Sequence, residues 1–169
     1  MRPHLATTDG TRKLSCWPAA VLVAVFDGDE RLLLLSHPKR GGAWEVPSGA
    51  IEEGETVLAA ALREAREELG PGLRLRPLGT AHAEMFPYRD PAIGDLLSVT
   101  YVVACDGGGV APGDDMAGAA VRWATLDEVE REGLEVAVPA QPWLRRRALE
   151  LFRAWRHAAP VALDWRPPS

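Results

Sequence analysis

The chain has 169 residues, 47% hydrophobic and 25% charged, the balance of an ordinary globule with mass enough for one core. Its formal net charge of −5 argues against general nucleic-acid binding, and no apolar run approaches the roughly 18 residues of a membrane span. Cys16 and Cys105 are far apart and lack a C-x-x-C partner, which excludes a zinc site or disulfide framework and suits two buried, reduced thiols in a cytoplasmic protein.

Residues 1–15 are polar and unpatterned and read as a flexible leader or an early edge strand, with the folded domain expected over 16–158. No apolar run near the start reads as a secretory signal. Trp17 to Phe26, rich in valine and alanine, predicts a buried strand. Asp27-Gly28-Asp29-Glu30 predicts a hairpin turn, and Arg31 to Ser36, with four leucines, the return strand. His37 to Gly42 is a loop in which Arg40 offers a planar, permanently charged fork for a substrate phosphate; solvent is the alternative destination for that side chain. Trp44 is expected in the core.

Gly49 to Gly70 carries the chemistry. Thr56 is placed to cap a helix, and Gly70-Pro71 to stop it. Leu58, Ala61, Leu62, Ala65 and Leu69 fall at helical spacing as an apolar stripe. Glu64, Glu67 and Glu68 stand three and four apart, so their carboxylates converge on one face at a cost of a few tenths of a kcal/mol per like-charged pair. Arg63 and Arg66 can relieve that repulsion, and a hard divalent cation shared among several oxygens would do so better.

Beyond the helix, Leu73 to Glu84 predicts a long strand with Pro77 at a bend or edge, and Asp95 to Cys105 a second. Along the second, Val99, Tyr101 and Val103 alternate with Ser98, Thr100 and Val102. Met85 to Gly94 reads as a long loop whose Phe86 and Tyr88 can stack on a base or pin the loop to the core. Asp106 to Ala117 reads as a glycine- and aspartate-rich loop, and Val121 to Ala124 as a short strand. Thr125 and Glu128 have capping-box spacing for a short helix, and Pro142 suits the first turn of a last one. In that helix Leu144, Ala148, Leu151, Phe152 and Trp155 make the apolar stripe, with Arg145, Arg146, Arg147, Arg153 and Arg156 largely off it. Residues 159–169 form a proline-rich tail.

Gly49, Glu55, Arg63, Glu64, Glu67, Glu68 and Gly70 resemble the Nudix box, Gly-x5-Glu-x7-Arg-Glu-U-x-Glu-Glu-x-Gly-U, with U a bulky aliphatic residue. Every glycine and charged position is present; Ala65 and Pro71 depart at the two U positions, and Ser48-Gly49 stands where the family usually has two glycines. The resemblance implies an α/β fold, the Nudix α/β/α sandwich with a mixed central sheet. It also implies Mg²⁺-dependent hydrolysis, with Mn²⁺ able to substitute, of a phosphoanhydride in a nucleoside diphosphate linked to another group. Dinucleoside polyphosphates, nucleotide sugars, ADP-ribose and modified nucleoside triphosphates all qualify. By resemblance Glu67 and Glu68 are metal ligands, Glu64 a ligand or the base, Glu55 a further ligand, Gly49 a backbone-carbonyl ligand, and Arg63 the residue that holds the carboxylates. The family draws its base from the box or from a loop before the strand at Val121, so Glu64 or Glu67 is expected, with Asp114 or Asp115 as the alternative. A nucleotide sensor without hydrolysis and an RNA 5′-end pyrophosphohydrolase are the competing readings. The expected partner is a small nucleotide, with no membrane, nucleic acid disfavoured, and a homodimer compatible with the family's frequent dimers.

Overall fold

The computed structural model describes residues 4–38, 41–88, 93–113, 116–137 and 140–158; Arg40, Asp114, Asp115 and the proline-rich tail lie outside the described residues. The described strands are β1 (His4–Ala6), β2 (Lys13–Ser15), β3 (Ala19–Phe26), β4 (Leu32–Ser36), β5 (Trp44–Glu45), β6 (Ser48–Ala50), β7 (Leu73–Pro87), β8 (Asp95–Gly108) and β9 (Ala120–Ala124). The helices are α1 (Val57–Leu69), α2 (Leu126–Arg131) and α3 (Pro142–Trp155). β1 and β2 form a ladder of their own. The main sheet runs β5-β4-β3-β8-β7, with β6 also on β3 and β9 also on β4. β3 and β8 are parallel and the other pairs antiparallel, which makes the sheet mixed.

Period-two alternation divides the core between the two faces of this sheet. Val21, Val23, Val25, Leu33, Leu35, Tyr101, Val103 and Cys105 pack with Ala60, Ala61, Ala65 and Leu69 of α1. Leu22, Ala24, Phe26, Leu32, Leu34, Val102 and Ala104 face the other way, onto Leu126 and Val129 of α2 and Ala148 and Phe152 of α3. The result is an α/β/α sandwich. Each fully buried Val, Leu or Phe contributes about 1.5–3 kcal/mol.

The punctuation follows the local chemistry. Thr56 accepts the Ala59 N–H and caps α1. Gly70 ends it at φ 85°, where a Cβ would also overlap the Ala111 carbonyl, so both conformation and space demand glycine there. Thr125 and Glu128 close a reciprocal capping box on α2, and Pro142 opens α3. The β3–β4 turn is bound by Asp27, whose carboxylate accepts the N–H groups of Asp29 and Arg31. Its Glu30 sits at φ 63°, and Arg153 of α3 and Arg156, the residue that caps its C-terminus, grip that carboxylate.

Four details depart from the sequence reading. β7 continues through Phe86 to Pro87, so the expected loop is shorter and Phe86 lies on a strand opposite Leu96. This is an edge strand, where a terminal proline costs no ladder bond. β8 likewise runs on to Gly108. Arg145, expected off the apolar stripe, is buried beside Leu144. Of the two free thiols, Cys105 is buried but Cys16 only half-buried.

Phe152 is 2% exposed, and its ring lies 5.2 Å from that of Phe26. Phe152→Ala should therefore cost about 3–5 kcal/mol, read as a lower urea midpoint at unchanged slope.

Candidate active site

β6 delivers Gly49 to the face of α1. Gly49 pairs with Val21 of β3, and a Cβ on it would overlap both carboxylate oxygens of Glu64. Only glycine lets the strand and this glutamate meet so closely. Glu64, on the inner side of α1, is 9% exposed.

The carboxylates of Glu55, Glu64 and Glu67 converge on one guanidinium. Arg63 Nε donates to Glu55 Oε1 at 2.8 Å, and Nη2 to Glu55 Oε2 at 2.9 Å, a two-pronged pair. Nη1 is shared by Glu64 Oε1 at 2.8 Å and Glu67 Oε2 at 3.0 Å. Nη2 also reaches the Ala50 carbonyl at 2.8 Å, which ties helix, loop and β6 together. Glu68 accepts the Ser48 N–H at 3.4 Å. Glu55 accepts the Glu52 N–H at 3.0 Å. Among the described residues, no three acidic, histidine or cysteine side chains form a ready metal cage; the acids gather on Arg63.

Charge and burial set the carboxylates apart. Arg63, with help from the Glu52 N–H, holds Glu55 down to a pKa of about 2. Burial pushes Glu64 up, and the like charges of Glu67 and Glu55 add to this against the pull of Arg63. Arg63 itself is raised, first by Glu55 and then by Glu64 and Glu67.

The structure thus brings Gly49, Glu55, Arg63, Glu64, Glu67 and Glu68 together. Arg66, the other expected partner, is exposed. Phe86 and Tyr88 lie at the same end of the sheet, where Leu97 pairs with Ala19 and the Ala19 carbonyl accepts the Ile51 N–H. They stand on the outer strand β7 and just after it: Phe86 is half-buried, Tyr88 46% exposed.

A cleft on the opposite face of the sheet escaped the sequence reading. Leu22, Ala24, Leu32, Val46, Thr100, Ala140, Leu144, Arg145 and Ala148 line it, and its volume is about 10 Å³, room for about one water. It adjoins the box strand, since Leu22 pairs with Ser48. The available signal was Ser98 and Thr100, two hydroxyls on the face that β8 otherwise fills with Val102 and Ala104.

An α/β/α sandwich with a glycine strand laid against a glutamate-rich helix defines a class of protein. The NUDIX domain model matches residues 17–146, and the chain belongs to the Nudix hydrolase family. It is 30% identical over 105 residues to an ADP-ribose pyrophosphatase of Methanocaldococcus jannaschii, covering 61% of this chain and 60% of that protein. It is 38% identical over 53 residues to a dihydroneopterin triphosphate diphosphatase of Escherichia coli, covering 31% of this chain and 35% of that one. A solved NUDIX hydrolase from Nitrosomonas europaea superposes with a TM-score of 0.63 at 19% identity, over 90% of this chain and 98% of that chain.

The two shifted glutamates give opposite pH effects in metal-free protein. Glu55 is depressed, so its contribution is present above about pH 4.5 and lost as pH falls toward 2. Glu64 is raised, so the folded state holds a proton the unfolded chain has shed, and stability falls as pH rises through that window. Urea midpoints measured across the acid range should fall less steeply for Glu55→Gln than for the parent, and Glu64→Gln should stabilise the metal-free protein near neutrality.

Proposed function

We propose that the chain is a divalent-metal-dependent pyrophosphohydrolase that splits a phosphoanhydride bond in a nucleoside diphosphate linked to another group. The observation that carries this reading is the Gly49–Glu64 contact, with Glu64, Glu67 and Glu55 gathered on Arg63 beside it. The donor set suits magnesium, or manganese in its place. It is made of hard oxygens alone, and the missing side chain at position 49 keeps the strand clear of the Glu64 carboxylate. Glu64, Glu67, Glu68, Glu55 and the Gly49 carbonyl would hold the ion, which when bound neutralises phosphate charge and makes phosphorus more open to attack.

The protein's own groups divide the remaining work. Arg63 anchors Glu55 through both of its oxygens and holds Glu64 and Glu67 by one nitrogen, so the acids keep their spacing. Glu64, buried and raised in pKa, is the group best suited to take the proton of an attacking water; Glu67 is more exposed and better placed to face solvent and phosphate. Gly49 and Ala50 supply the strand edge along which the phosphates would lie.

Two observations favour hydrolysis of a small nucleotide over the other readings. All the acids of the motif are retained and organised, as catalysis requires and sensing does not. The arginines on and just after α3 are engaged within the fold: Arg145 with the Ala140 carbonyl, Arg146 with Glu130, Arg147 with the Ala81 carbonyl, and Arg153 and Arg156 with Glu30. They offer RNA little free charge. Among the described residues no helix is long and apolar enough to cross a membrane, and the proposed setting is the cytoplasm.

A panel of ADP-ribose, nucleotide sugars, dinucleoside polyphosphates and modified nucleoside triphosphates, assayed with magnesium for released monophosphate or phosphate, tests the reading. At least one class should turn over, and none should without the metal. Glu64→Gln should lower kcat by about 10²–10⁴-fold with metal uptake preserved, and near-normal turnover would exclude Glu64 as the base. Gly49→Ala should lose activity more completely, because the added methyl group displaces the Glu64 carboxylate.

A further inference from the structure

The helix that carries the glutamates is held at both ends. At the front, Arg63 bonds the Ala50 carbonyl. At the rear, the segment that leaves β8 lies backbone to backbone on the end of α1 and the turn after it. The Ala111 N–H donates to the Leu69 carbonyl at 2.8 Å. The Ala111 carbonyl fills the space where a Cβ on Gly70 would sit, and the Gly109 carbonyl does the same at Gly72. Gly113 comes down on Glu67 itself: a Cβ there would lie 3.0 Å from the Glu67 carbonyl oxygen. The regular helical donor to that carbonyl would be residue 71, and Pro71 has no N–H, so the last turn leaves the oxygen without its helical donor. Gly113 is itself pinned. Its carbonyl accepts the N–H of Met116, whose side chain is 1% exposed in the cluster with Ala65 and Leu69.

We infer that Gly113 is a positioning residue for the metal-binding carboxylates: its bare backbone, seated on the Glu67 carbonyl, sets how far Glu67 and its neighbour Glu68 advance toward β6. The contact falls on a residue that carries one of the carboxylates, so no intervening turn of helix absorbs a push. A methyl group at position 113 would force the two backbones apart by a few tenths of an ångström, and a branched side chain by more. Oxygens serving one small cation must keep their places within about 0.5 Å. Neither partner can simply retreat. Ala60, Ala61, Ala65 and Leu69 are fully buried between α1 and the sheet, and Ala111 and Met116 pin Gly113 from both sides. The displacement therefore passes into the Glu67–Arg63 contact at 3.0 Å and the Glu68–Ser48 contact at 3.4 Å. The inference rests on the proposed hydrolase reading for the ion, but not for the arrangement of the acids around Arg63.

Two readouts on the full chain need no turnover. Calorimetric titration with Mn²⁺ alone measures the site. Hydrogen exchange of the Arg63 side-chain N–H groups, followed by NMR without metal, measures the order of the acids around it. Gly113→Val should weaken Mn²⁺ binding about 10-fold or more, the lower end of what loss of a supporting contact costs a metal site, and Gly113→Ala should weaken it less. Arg63 exchange should speed up in the same order. Gly109→Ala is the control from the same segment, since nothing lies within 4 Å of a Cβ there, and it should match the parent on both counts. Phe152→Leu controls for lost stability: it loosens the core on the other face of the sheet and should keep the parent's Mn²⁺ affinity. Thermal melts report folding. Parent-like Mn²⁺ affinity and Arg63 exchange in folded Gly113→Val overturn the inference; if that variant does not fold, the same result in Gly113→Ala does so. A loss shared equally by Gly109→Ala or Phe152→Leu overturns it too, since general loosening would then explain it. A parent protein that takes up no Mn²⁺ sinks the hydrolase reading, and Arg63 exchange alone then decides the inference.

Discussion

One guanidinium holds the site in order. Arg63 is the common partner of Glu55, Glu64 and Glu67, and through the Ala50 carbonyl it fastens them to the sheet. Without a cation at that point the carboxylates would repel one another and splay toward solvent. With it, a run of like charges becomes a rigid set of oxygens. The same arginine produces the asymmetry among them. Glu55 receives two of its N–H donors and stays ionised far into acid, while Glu64 shares one donor and lies buried, so its ionisation is resisted.

The fold places this cluster through the sheet rather than the helix alone. β6 is three residues long and survives as a strand because β3 offers it an edge at Ala20–Leu22. That pairing turns Gly49 toward α1, while Leu22 of β3, the partner of Ser48, faces α3. The glutamate cluster and the α3 packing therefore lie on opposite faces of one sheet, joined where β6 lies beside β3. The clamps at the far end of α3, from Arg153 and Arg156 to Glu30, fix the helix that covers the second face.

Much of this was legible in the residues. Thr56 and Gly70 bounded α1 correctly because caps are local chemistry, and the glutamate spacing brought the acids to Arg63 because helical geometry is nearly invariant. The alternation along β8 predicted its two faces for the same reason. The grip of Arg63 on Glu55 was less visible, since it crosses a loop whose path no periodicity encodes. Met85 to Pro87 looked like loop because proline punctuates chains, yet an edge strand accepts a proline and Phe86 favours a strand. Arg145 was misplaced because its neighbour Leu144 marks the rim of the stripe, and a long aliphatic stem lets an arginine follow a leucine inward. What lies beneath a helix depends on the residues across from it, here Ala24 and Thr100, which no local pattern in α3 contains.

The parallel pairing of β3 with β8 has a consequence for how the protein comes to exist. Val23 finds Tyr101 only after β4, the box helix and β7 have all been made. During synthesis the first central strand must wait at the ribosome with a bare, aliphatic flank until its neighbour emerges. Such distant closure slows folding and lengthens exposure to aggregation. Nascent chains halted short of β8 should be the species that chaperones hold and proteases clear.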